Sequence, residues 1–248
     1  MPPPKLSFPS SGQSLAERET LFAGSRAEFE TLLLGWDEHC VRRHAAALDE
    51  ELSLAIDAMV AAHGELMSWR LRGELSHHAL FCWSFGYVGM QASVLAALQI
   101  VRGEHLMLPA TLRMLGESEA VMILSVLESE FERMQKLDPT SWQPNAFGRL
   151  AQRKVAKQLS DVIGFSSETY RVRSASWKKT NAGSHSNLIA VILTSRELPE
   201  SSSMLGGEWD ESKLPMQRNA LSLLRSGLAS IRETAHRAAP ILTPEAIA

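Results

Sequence analysis

A chain of 248 residues with 45% hydrophobic side chains can bury one sizeable core, which excludes global disorder. Aromatic residues make up only 6%, and Ala, Leu, Glu, Arg and Met dominate positions 14–137, so an all-α multi-helix bundle is expected rather than a β-rich fold. A net charge of −3 excludes a whole-protein electrostatic drive toward nucleic acid or anionic lipid, and two distant cysteines, Cys40 and Cys82, exclude a disulfide scaffold and suit a reducing, cytoplasmic setting.

The opening, 1–13, holds three consecutive prolines and no apolar leader core, and is predicted to be an unstructured arm ahead of a single helical domain over 14–240. Residues 241–248 are predicted to be a flexible tail. Ser14 with Glu17, and Ser25 with Glu28, match capping boxes, so helices are predicted to begin there. The second carries Phe29, Leu32, Leu33 and Trp36 at helical spacing, then turns charged through Arg43. A further helix is predicted over 48–72, with Gly73 as its stop.

Residues 79–101 contain no charged side chain. That length suits a membrane span, but Ser84, Gln91, Ser93 and Gln99 interrupt it, with the two glutamines on one broad face. A central helix buried on all sides reads the same way and is the preferred expectation. After a turn at 103–108, one helix is predicted over 110–136, opened by Pro109. Asp138-Pro139 and Gln143-Pro144 mark a linker or long surface loop over 138–145. Helix is predicted again from about 145 to 164, followed by another that Ser166 or Ser167 caps and that contains Tyr170. Residues 189–209 read equally as a small hairpin or as a loop. The last helix, about 213–237, sets Leu221, Leu224, Leu228 and Ile231 on one face and Arg218, Arg225 and Arg232 on another.

Three constellations could carry chemistry. Arg113 and Glu117 lie four apart beside apolar positions, as either a buried pair serving a polar cavity or an ordinary intrahelical salt bridge. Trp177, Asn181 and His185 follow one stripe, where a neutral imidazole could act as a general base, Asn181 could orient it and Lys179 could hold a phosphate; a buried polar network is the alternative. From 149 to 179 the segment carries +6, including Arg149, Arg153, Lys157, Arg171 and Arg173, with Tyr170 and Trp177 interleaved, which is the one RNA-like signature. A solvated helix stripe through Arg149, Arg153 and Lys157 is the alternative. The 8 histidines show no metal-ligand spacing, the single Glu-x-x-His being Glu74 with His77, so neither metal nor cofactor is expected.

TLRMLGE followed by an apolar helix, with WKKTNAGSHSN downstream, resembles a bacterial helical family of unknown function that carries an Arg-x-x-x-Glu helix and a later Tyr-x-x-x-Ser-x-x-x-His helix. Arg113 and Glu117 match the first motif and His185 ends the second, with Trp177 in place of Tyr and Asn181 in place of Ser. That family is similar to HEPN-like domains, whose nuclease members cut RNA without metal through an Arg-x(4 to 6)-His motif. The resemblance implies Arg72 with His77 or His78, or Arg70 with His77, as candidate pairs, although Gly73 stands where the nuclease members tend to carry a polar residue. Near His185 the nearest equivalent of the arginine is Lys179. Lysine lacks the planar fork that grips phosphate twice. The expected function is a non-enzymatic interaction or oligomerisation module with a second copy or another protein as partner; the alternatives are RNA binding or cleavage and attachment to a membrane through 79–101.

Overall fold

The computed structural model describes residues 38–103, 108–137, 146–168, 170, 211 and 214–243. Among these residues the protein is an all-α bundle with no strand. Its helices are α1 (Glu38–Ala47), α2 (Asp49–Leu71), α3 (His77–Val101), α4 (Leu108–Ser125), α5 (Glu128–Gln135), α6 (Ala146–Leu150), α7 (Arg153–Ile163) and α8 (Leu214–Leu242). The predicted capping boxes at Ser14 and Ser25, the linker over 138–145 and the hairpin near 189–209 lie outside the described residues.

Local chemistry sets most of the helix ends. Asp49, Glu50 and Glu51 place negative charge on the positive first turn of α2, and Gly73, at φ 127°, takes the turn that follows it. The Ser76 hydroxyl accepts from the Ala79 N–H at 3.1 Å and caps α3. Gly164, at φ 62°, closes α7: its N–H reaches the Ser160 carbonyl, the αL capping bond, while the Phe165 N–H reaches that of Leu159.

Two predicted helices are each found as two. The helix expected over 110–136 breaks at Leu127, which adopts extended backbone (φ −82°, ψ 122°). Ser125 Oγ donates to the Met122 carbonyl at 2.8 Å, and the turn lets Val126, Leu127, Phe131 and Met134 all reach the core. Likewise α6 ends at Leu150 and α7 begins after extended Gln152, so Arg149, Arg153 and Lys157 do not form a stripe on one helix. At the C-terminal end, α8 runs past the expected Arg237 to Leu242, burying Ala238, Ala239 and Leu242.

Four long helices form a diamond in cross-section. α3 packs against α2, α4 and α8, and α8 packs against α2, α3 and α4. Direction follows from individual contacts. Gln217 Nε2 donates to the Ile100 carbonyl at 2.9 Å, while a Cβ on Gly89 would meet Ile231, so α3 and α8 run antiparallel. Arg218 pairs with Glu51 at 2.8 Å and Trp69 reaches Ala235, so α2 and α8 run parallel. Glycines permit the closest crossings: a Cβ at Gly86 would lie 2.8 Å from Leu66 and 2.9 Å from Met122, and one at Gly89 would lie 2.7 Å from Ile231 Cδ1. The face of α8 turned inward is the predicted one, with Leu221, Leu224, Leu228 and Ile231 fully buried. Gln217 also donates to His44 Nδ1 at 3.0 Å, tying α1 to the same end of the bundle.

Candidate docking surface

The residues singled out in the sequence do not converge on a cavity. Arg72 caps the end of α2, with its backbone N–H on the Trp69 carbonyl at 3.2 Å and its side chain exposed. His77 opens α3 across the Gly73 turn and is held toward α5, accepting at Nδ1 from Gln135 Nε2 at 3.1 Å and meeting Phe131 edge-on at 5.6 Å. Its neighbour His78 stacks on the same phenyl ring at 4.3 Å, so Phe131 organises this corner. Arg113 and Glu117 form an i, i+4 pair at 2.8 Å with side chains 32% and 47% exposed. That geometry is the ordinary intrahelical bridge, stabilising by a few tenths of a kcal/mol.

Tyr170 is buried, with its ring beside Phe147 and Phe165, which makes it a core aromatic. Arg171, Arg173, Trp177, Lys179, Asn181 and His185 lie outside the described residues. In the described part of the basic segment, Arg153, Lys154 and Lys157 are exposed on α7, whereas Arg149 is committed to Glu130. No group of three or more His, Cys, Asp or Glu side chains converges on a metal position among the described residues.

Glu130 escaped the sequence reading. It is 3% exposed on α5, accepts from Arg133 Nε at 2.8 Å and from Arg149 Nε at 3.2 Å, and also pairs with Arg149 Nη2. Burial alone would raise its carboxyl pKa, but the hydrogen bonds and charges of Arg149 and Arg133 outweigh burial and hold it below the ordinary value. The same contact holds the Arg149 guanidinium above its ordinary value. Arg133 was within sight at i+3, but nothing in the sequence announces a partner 19 residues away on α6. The cluster fastens α5 to α6, and Arg149 reaches Gln152 at 2.6 Å in the next turn. Cys82 is also closed to chemistry: complete burial pushes its thiol up to about 12, only partly countered by a hydrogen bond from Ser125.

The feature that stands apart is the outward arc of α3. At 100° per residue, His77, Leu80, Ser84, Tyr87, Val88, Gln91, Val94, Leu95 and Leu98 share the side opposite α8. Leu80, Val88, Val94, Leu95 and Leu98 are between 39% and 45% exposed. The helix is central and three of its neighbours cover it, but a diamond leaves one arc of each apex helix open. Gln91 and Gln99, expected on one broad face, are divided by this geometry, Gln91 exposed and Gln99 buried.

The opposite apex shows how a solvated arc is built: α8 exposes Arg218, Arg232, Glu233, His236 and Arg237. From Leu80 to Leu98, α3 exposes no charge at all. Along its edge, the rings of Trp83 and Tyr87 stack at 5.0 Å and 10°, with the Arg70 guanidinium 5.2 Å over Trp83. Trp83 Nε1 donates to the Leu66 carbonyl at 2.8 Å, which marks the side of α2 that faces α3. By helical phase that side also carries Ile56, Met59, His63 and Met67. Trp, Tyr, Met and Arg around an apolar centre is the composition enriched at protein interfaces. The charge-free run was the available signal in the sequence. α3 is also the one helix among the described residues long and apolar enough to cross a membrane.

Compared with protein-family models, with curated proteins and with solved structures, the chain matches none.

Proposed function

We propose that this protein is a non-enzymatic interaction module that docks through the outward arc of α3. The observation that carries the reading is the contrast between two equivalent positions in the diamond, charged on α8 and charge-free on α3 from Leu80 to Leu98. A contiguous apolar surface of this kind costs solubility when left in water and is the usual mark of a docking site. Half-buried Tyr87 and exposed Arg70, both packed on the buried ring of Trp83, supply residue types that anchor such contacts.

The test is site-specific photocrosslinking in cells that make the full chain. A crosslinker at Leu95, in the centre of the arc, is expected to give a covalent adduct with a protein, whereas one at Lys157, exposed on α7, gives none. Absence of an adduct at Leu95, or equal adducts at both positions, overturns the reading.

A further inference from the structure

We infer that His44 is an acid-released latch that holds α1 against the end of the bundle where α8 begins and α3 ends. The inference goes beyond the docking reading and does not depend on what covers the α3 arc. His44 and Gln217 are both fully buried, 173 positions apart in sequence. Gln217 Nε2 lies 3.0 Å from His44 Nδ1 and 2.9 Å from the Ile100 carbonyl oxygen. A carbonyl oxygen only accepts, so the atom facing it is the amide nitrogen, and its two hydrogens are committed, one to each acceptor. His44 Nδ1 is therefore the bare nitrogen of a neutral ring whose proton is on Nε2.

A proton added at Nδ1 would point at the amide hydrogens of Gln217. Turning the amide over brings Oε1 to the new N–H but sets that oxygen against the Ile100 carbonyl, acceptor against acceptor. Either arrangement loses a hydrogen bond and keeps a cation out of water. Gln217 has no spare contact to fall back on among the described residues, since its Oε1 is already buried without a hydrogen bond. The charged groups that the described elements bring to this end are Arg42 and Arg43 on α1, Asp49, Glu50 and Glu51 on α2, Arg102 after α3 and Arg218 on α8. Four cations thus oppose three carboxylates, and Glu51 is already paired with Arg218 at 2.8 Å. The C-terminal end of the α1 dipole favours a cation at His44, but the N-terminal end of α2 follows within five residues and opposes it. Burial is left as the dominant influence, and it favours the neutral ring.

Undocked, His44 binds a proton near its ordinary value of about 6.5; docked, it resists the proton to lower pH. The latch is therefore fully engaged above roughly pH 6.5 and weakens as pH falls below that value. Glu130 acts in a different window and place, since its carboxyl titrates below the ordinary 4.5 and joins α5 to α6. α1 packs on α2 and α3, so its release in acid uncovers the C-terminal turns of α3.

Hydrogen exchange of the full chain, read by mass spectrometry as protection factors so that the intrinsic pH dependence drops out, tests the latch. Between roughly pH 7.5 and roughly pH 5, protection over α1 is expected to fall at least about tenfold while that of α4 around Met122 holds. His44→Asn places Oδ1 near the former Nδ1, accepts from Gln217 and does not titrate, so its α1 protection is expected to stay constant across the same range. Nitrogen chemical shifts of the imidazole give a second measurement on the unaltered chain. At about pH 7.5 His44 is expected to be bare at Nδ1 and protonated at Nε2, and to titrate below about 6.5. Should His44→Asn fail to hold α1 at the higher pH, that titration alone decides. A ring protonated at Nδ1 in the docked state, or titrating at or above the ordinary value, overturns the inference. So does α1 protection that is constant in the parent, or that falls equally in the parent and in His44→Asn.

Discussion

The indole N–H of Trp69 donates to the carbonyl oxygen of Ala235 at 3.1 Å, joining the last turn of α2 to the last turns of α8 across 166 positions of sequence. Both residues are fully buried, so this hydrogen bond is made without competition from water. Trp69→Phe removes the donor and part of the ring, and is expected to cost about 1–3 kcal/mol, whereas Trp69→Ala is expected to cost about 3–5 kcal/mol. Urea unfolding of the two variants against the parent measures both, and equal losses would show that volume alone matters.

Glu130 gives the protein an acid-sensitive joint. Its pKa lies below the ordinary 4.5 in the folded state, so the unfolded chain takes up the proton first. The stabilisation is therefore fully present above the ordinary value and is lost as pH falls through the lower folded value. Glu130→Gln is expected to cost about 1–3 kcal/mol at neutral pH, the lower end reflecting the ability of the two arginines, each about a third exposed, to reach water. Stability measured from roughly pH 6 to 3 should fall less steeply in the variant than in the parent.

Gly89 has no room for a long side chain where α3 crosses α8. Because a Cβ there would already stand 2.7 Å from Ile231 Cδ1, Gly89→Leu is expected to destabilise by about 2 kcal/mol or more through overpacking. Gly64, whose Cβ would meet nothing within 4 Å, serves as the control. Gly64→Ala is expected to stabilise by about 0.5–1 kcal/mol through helix propensity. Thermal unfolding separates the two, and a tolerated Gly89→Leu would mean that the crossing is looser than the contact distances imply.

Cys82 should be silent in the native protein. With its thiol pushed up to about 12, a Cys40→Ser variant is expected to resist a thiol-specific reagent at pH 8 and to react fully once unfolded in urea. Rapid native labelling would indicate that α3 and α4 separate locally near Met122, whose carbonyl accepts from Cys82 Sγ at 3.5 Å.

Elements with a periodic signal were legible from the sequence. The Leu221, Leu224, Leu228 and Ile231 stripe, the stop at Gly73 and the end at Gly164 follow from spacing and from glycine at positive φ. The breaks at Leu127 and Gln152 were not, because neither Gly nor Pro marks them and the driving force is burial of distant side chains such as Phe131. The run from 79 to 101 was recognised as unusual and expected to be enclosed. Composition reveals that a helix is apolar, but how many neighbours surround it is a property of the assembled bundle. Glu130 was hidden for a related reason, since its second arginine comes from another helix.

The place of α8 in the diamond bears on how the protein is made. α2, α3 and α4 leave the ribosome first, yet the helix that fills the space between them is encoded last. At about 5–20 residues per second, Trp69 waits roughly ten to thirty seconds for Ala235. Throughout that interval the nascent chain displays greasy grooves that α8 will later fill. Truncation before Leu214 should therefore yield a chaperone client rather than a smaller folded protein.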